Sequence, residues 1–248
     1  MTQLTQDARS AQDFNQKLVV GANKGVLWLS KHWLAVANIF FLIYVGLPVL
    51  APILLAKGYA APANIIYSLY RAACHQLPSR SFFIAGEQVA FCQRDVSIYA
   101  SFVLGGILYG FIRSHLKPLP LRWYVFFLVP IAVDGGMQMA SEILHRLGMG
   151  VMPVFWAIGL IAMGLVSLVL HRQKYLTWHS FLFFLAGPLS LLYLQYTGSH
   201  LSNWFLRTLT GFLFAIGTVW FAYPYLEESF NDIREEVEAK LAQAQMRN

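Results

Sequence analysis

The chain reads as an all-α, polytopic membrane protein, and three observations carry that reading. Charged residues make up 12% of its 248 residues and hydrophobic ones 57%, so it holds about half the charge usual in a soluble domain. The apolar residues gather in solid blocks rather than alternating, which argues against a porin-like barrel. Six blocks reach the roughly 20 residues that a helix needs to cross about 30 Å of hydrocarbon.

Residues 1–33 are mixed and polar, so no cleavable signal peptide is expected and the first span directs its own insertion. Between residues 10 and 33, Phe14, Leu18, Val26, Leu29 and Trp33 alternate with lysines and polar positions. That pattern suits an interfacial helix lying on the inner membrane surface. The expected spans are 34–56, 96–114, 121–140, 152–170, 178–196 and 205–223, each helical because lipid gives backbone groups no outside partner. Pro48, Pro130, Gly135, Gly136 and Pro188 fall inside them and predict kinks. The membrane domain then runs over 34–225, followed by a charged, solvated C-terminal helix over 226–248. Glu236 and Lys240 are placed there for an i,i+4 pair. Ile233, Val237 and Leu241 form a thin apolar stripe for a partner, although a frayed tail is the plainer expectation.

Counting Lys and Arg by loop sets the orientation. With the N-terminus inside, the inner segments hold twelve and the outer loops five, Arg207 lying within the last span. Both termini are therefore expected in the cytoplasm, and the loop 57–95 outside it. The net charge of +6 is accounted for by this anchoring, without nucleic acid. Within the loop, 64–71 has apolar residues at helical spacing and predicts a short interfacial or re-entrant helix.

Both cysteines of the chain fall in that loop, in Cys74-His75-Gln76, Arg80-Ser81-Phe82 and Cys92-Gln93-Arg94-Asp95. Three chemistries suit them. Cys74, His75, Cys92 and Asp95 offer ligands to zinc or another transition metal. With 17 residues between them, the cysteines suit a disulfide in an oxidising compartment, worth about 3 kcal/mol by chain entropy. Or they form a redox-active dithiol, with Arg80 or Arg94 lowering a thiol pKa; Cys74 and Cys92 are then the catalytic candidates.

Asp134-Gly135-Gly136-Met137-Gln138 lies within the third block. Asp134 and Gln138 share one helix face, and a charge at that depth must meet a partner or water. The choices are a proton, ion or headgroup site and an interhelical hydrogen-bond clamp. Asn203 and Arg207 are again four apart, and Arg207 is the natural counter-ion for Asp134. Both fall toward the outer half of their spans, which places an Asp134–Arg207 pair beneath the Cys-His loop. The other histidines sit at span ends, where amphipathic side chains reach water. Aromatic residues near span ends fit an interfacial belt or a quinone-lining surface. Gly-rich phosphate loops, outer-loop Ser-His-Asp sets and His-Glu-x-x-His motifs are absent.

Cys74-His75-Gln76, Arg80-Ser81-Phe82, Cys92-x-Arg94 and Ile98-Tyr99 together resemble the signature of a family of small prokaryotic predicted membrane proteins of unknown function. Asp134-Gly135-x-x-Gln138 and Asn203-x-x-x-Arg207-x-x-Thr210-Gly211 are similar to its later blocks, so the likeness covers most of 65–225. The family pattern has a further cysteine where this chain has Asp95, turning three thiols into two thiols and a carboxylate. Its members also lack the two blocks between about 150 and 200. The resemblance implies a polytopic fold, a shared outer polar site and a prokaryotic cell membrane; it implies no activity.

The leading expectation is an accessory or structural subunit of a larger membrane complex. Its partners are the lipid bilayer and other membrane subunits, and its loop is held by a disulfide or a metal. The alternative is a membrane thiol or quinone oxidoreductase using Cys74 and Cys92, and a carrier using Asp134 comes third.

Overall fold

A computed structural model of the protein describes the backbone of residues 2–146 and 203–246, and the side chains of 16–136, 138–139 and 203–244. Among the described residues there are five α-helices and one antiparallel two-stranded sheet. In chain order they are α1 (Thr2–Ala56), α2 (Ala60–Tyr70), a 3-10 turn at Pro78–Arg80, β1 (Ser81–Ile84), β2 (Glu87–Cys92), α3 (Gln93–Ile112), α4 (Leu121–Arg146) and α5 (Trp204–Met246). The chain forms two compact units, one of Met1–Leu128 with Gly211–Asn248 and one of Val129–Thr210.

Three of the described helices are long and apolar enough to cross a membrane, with candidate segments Gln16–Ala56, Gln93–Ile112 and Trp204–Ala244. Helix α4 has 26 residues and covers the third expected span, while the blocks at 152–170 and 178–196 lie outside the described residues. Six spans are therefore an expectation, of which the described helices display three.

The separate surface helix expected before the first span is not what forms. Helix α1 runs unbroken for 55 residues, about 80 Å at 1.5 Å per residue. Hydropathy changes near residue 33, but no proline or turn residue stands there, so the backbone ladder continues. Side chains along its apolar half face outward, with Ile39, Phe40 and Ile43 all more than half exposed, as a lipid-facing surface requires.

Within the first unit, α3 runs antiparallel to α1 and parallel to α5. Phe41 stacks on Phe102 with centroids 4.7 Å apart, and Tyr109 meets Tyr223 edge-on at 5.5 Å. Small residues let the helices approach closely. A Cβ on Gly105 would stand 3.1 Å from Val219 Cγ2, and one on Gly211 would stand 2.9 Å from the Arg94 carbonyl oxygen. The start of α4 packs antiparallel on α5, where Tyr124 stacks on Phe221 at 4.5 Å and its hydroxyl lies 3.0 Å from Thr218 Oγ1.

The far ends of α1 and α5 also meet, in antiparallel sense. Trp33 donates its indole N–H to Glu227 Oε2 at 2.9 Å and stacks on Phe230 at 5.5 Å. Arg234 donates to the Ser30 carbonyl at 3.0 Å, and Lys31 pairs with Glu238 at 2.7 Å. The charged C-terminal stretch is thus no frayed tail: it stays helical to Met246, with Val237 buried and Ile233 exposed. The Lys240–Glu236 pair forms at 2.6 Å.

Candidate functional site: a thiol and carboxylate cluster under a hairpin

The loop between the first two spanning helices is folded. Its helix α2 covers the expected helical stretch and turns Ala63, Ile66 and Tyr70 inward. That spacing of three and four residues puts one apolar stripe against the neighbouring elements. The opposite side keeps Tyr59, Ile65 and Leu69 exposed. The β-hairpin was not anticipated from the sequence. Its two-residue turn uses Ala85 and Gly86 at φ 53° and 84°, the left-handed geometry that matches strand twist in tight hairpins.

A buried aromatic bed lies below. Phe91 is 1% exposed; it meets Tyr70 edge-on at 4.7 Å and Tyr44 at 5.5 Å. Pro48, inside α1, has no N–H to give the Tyr44 carbonyl one turn earlier. The Tyr70 hydroxyl supplies that bond at 2.9 Å, which joins α2 to α1 at the gap in its ladder. Amide side chains brace the rest. Gln88 Nε2 donates to the Gln76 carbonyl at 2.7 Å and to Ser81 Oγ at 3.0 Å. Gln76 Nε2 donates to the Tyr67 carbonyl at 2.7 Å, the Tyr67 hydroxyl donates to the Gln88 carbonyl, and buried Gln93 donates to the Ser81 carbonyl at 3.2 Å.

These elements bring Cys74, just past α2, against the end of β2. Cys92 is the N-cap residue of α3, and its sulfur accepts the Asp95 N–H at 3.4 Å, the position usually held by Ser, Thr, Asp or Asn. The Cys92 thiol donates to Asp95 Oδ2 at 3.1 Å, and the Cys92 N–H points at Cys74 Sγ at 3.3 Å. The two sulfurs and a carboxylate oxygen all lie within 4.8 Å of one another. The thiols are unbridged. Cys74 is buried, while Cys92 and Asp95 are half-buried.

His75 is exposed and stands outside this group of donors. Arg80 closes the 3-10 turn, and Arg94 lies in the first turn of α3; both are half-buried. The hydrogen bond from Cys92 brings the Cys74 thiol down to about 7, helped by the Gln76 N–H and opposed by burial. Cys92 is pushed up, first by that same shared hydrogen bond and then by burial and the Asp95 charge. The two thiols therefore titrate as a pair rather than as independent groups.

Asp134, Gln138, Asn203 and Arg207 belong to the second unit. Asn203 Oδ1 caps α5 by accepting the Leu206 N–H at 2.8 Å. Thr210 donates to Asp134 Oδ2 at 3.4 Å, and Gln138, Arg207 and Thr210 are buried. One contact of Asp134 is therefore with Thr210, one turn beyond Arg207 on α5. Residues 67, 70, 88 and 93 were missed by the sequence reasoning. Their one signal is polar atoms on otherwise apolar stripes, and it carries no partner information.

Membrane-length helices capped by a small thiol-bearing module define an integral helical membrane protein. The chain belongs to the DUF2085 family, described as predicted membrane proteins, whose model matches residues 74–155. It is 35% identical over 119 residues to the protein named Uncharacterized protein MJ1492 of Methanocaldococcus jannaschii, covering 45% of this chain and 75% of that protein. No solved structure matches it.

Proposed function

We propose that this protein is an accessory subunit of a larger complex in a prokaryotic cell membrane. Both termini lie in the cytoplasm in this reading, and the folded 57–95 module faces the other side as the docking surface. The observation that carries it is the outward face of α2, where Tyr59, Ile65 and Leu69 are 60%, 61% and 66% exposed beside exposed Arg71 and His75. Such a row of apolar groups rimmed by charge is how interaction surfaces are composed. The excess of Lys and Arg in alternate loops supports the orientation. Native mass measurement in mild detergent, on protein drawn from its own membranes, tests it. A heavier assembly is expected, lost in the Ile65→Glu/Leu69→Glu variant; monomer alone for the unaltered chain overturns the proposal.

A second reading is a thiol oxidoreductase, favoured by two unbridged sulfurs within 4.8 Å of each other. Two electrons and two protons would pass from the Cys74–Cys92 dithiol to a quinone, closing the disulfide and releasing quinol. Quinone reduction by dithiol-reduced protein, abolished in Cys74→Ser, would establish it.

A further inference from the structure

We infer that Cys74, Cys92 and Asp95 form a binding site for a zinc-class divalent cation that clasps the end of α2 to the start of α3. The inference rests on the docking reading only in taking the 57–95 loop as a rigid module, and it deepens that reading by naming what holds the module together.

The donor atoms come from two stretches of chain 18 residues apart, and the aromatic bed and hairpin bring them together. Cys92 Sγ and Asp95 Oδ2, at 3.1 Å, are already as close as two ligands of one tetrahedral ion. The whole set lies within 4.8 Å. Tetrahedral zinc with bonds of about 2.3 Å to sulfur wants sulfurs ~3.8 Å apart, a spacing inside the reach of this set.

Backbone geometry favours charge on both sulfurs. Each accepts a main-chain N–H, Cys74 from Cys92 at 3.3 Å and Cys92 from Asp95 at 3.4 Å. Such bonds orient a metal-bound thiolate and stabilise its charge.

The donor set also selects the metal. Two thiolates and one carboxylate suit zinc, or cobalt in its place, and suit neither magnesium nor calcium, which want oxygen alone. Three protein ligands leave a fourth position for water or a group from outside. Cys92 and Asp95 are half-buried, so the ion approaches from the carboxylate side while Cys74 forms the buried floor.

The test is Co2+ titration of the full-length, reduced protein in detergent, followed by zinc displacement. One equivalent of cobalt should give a thiolate-to-cobalt charge-transfer band and intense tetrahedral visible bands, both bleached by zinc. Cys74→Ser and Cys92→Ser should each remove the charge-transfer intensity expected from one sulfur. Asp95→Asn should weaken affinity about tenfold or more, and Asp95→Cys should add a third thiolate's intensity. His75→Ala should leave spectrum and affinity unchanged. Helical circular dichroism of Asp95→Asn keeps loss of binding separate from loss of fold. No cobalt spectrum from well-folded wild-type protein, or equal weakening by His75→Ala and Asp95→Asn, overturns the site. Monomeric protein that still binds cobalt defeats the docking proposal alone, and an intact complex that binds no metal defeats this one alone.

Discussion

Helix α1 packs around buried aromatic rings at two places, near its middle and near its C-terminal end, yet the two are held by different means. Near Tyr44 and Ala51 the helix supports α2 and the hairpin, where side-chain amides, two tyrosine hydroxyls and two sulfurs satisfy backbone groups of other segments. Near Trp33 it lies along α5, joined by an indole bond to Glu227, by the Arg234 bond to the Ser30 carbonyl and by the exposed Lys31–Glu238 pair. The hairpin end is irregular backbone, whose N–H and C=O groups must find partners outside a helical ladder. The α5 end is two regular helices that satisfy their own backbones, so side chains there only choose the register. Damage should therefore be severe in the first region and mild in the second.

The largest effect should come from Phe91→Ala, which empties the centre of the aromatic bed. A loss of about 3–5 kcal/mol is the usual scale for such a truncation, measured by equilibrium unfolding in detergent. A loss comparable to that of a surface change would show that the rings are not what supports the hairpin. Tyr70→Phe should cost about 1–3 kcal/mol by leaving the Tyr44 carbonyl buried without a donor. The double variant Pro48→Ala/Tyr70→Phe should recover most of that loss, because replacing the proline by alanine restores the helical N–H. Additive effects would break the link between proline and tyrosine.

At the other end, Glu227→Gln weakens a charge-assisted bond to Trp33, leaving the rings stacked. About 1 kcal/mol is expected, read as a lower thermal midpoint and faster proteolysis of the α1 and α5 ends, with the hairpin unaffected. Lys31→Ala should matter least. Lys31 and Glu238 are nearly half exposed, so the change should cost ~0.2–1 kcal/mol at low salt and less as salt is raised.

The same contrast explains what was legible in the sequence. Helices α1, α3 and α5 announce themselves because a helix long enough to span needs only an uninterrupted apolar run. Their ends were less legible. Hydropathy marks where a membrane begins, whereas a helix stops only where its ladder is broken, so α1 runs on past residue 33. The grouping of Cys74, Cys92 and Asp95 was legible as chemistry, since thiols and acids are scarce in this chain. The exclusion of His75 was not, because it depends on where the chain leaves α2. Nor was the hairpin. Ala85-Gly86 is a weaker turn signal than Asn-Gly, and β2 buries Val89, Ala90 and Phe91 in succession, hiding the alternation that marks a strand.

Pro48 leaves a missing rung in a rod about 80 Å long, and the gap is spliced to α2 through Tyr70 rather than left open. A beam bends where it is thinnest, so sideways force on the Trp33 end would pivot near Tyr44. The splice would then tug α2 and the sulfur of Cys74 just beyond it.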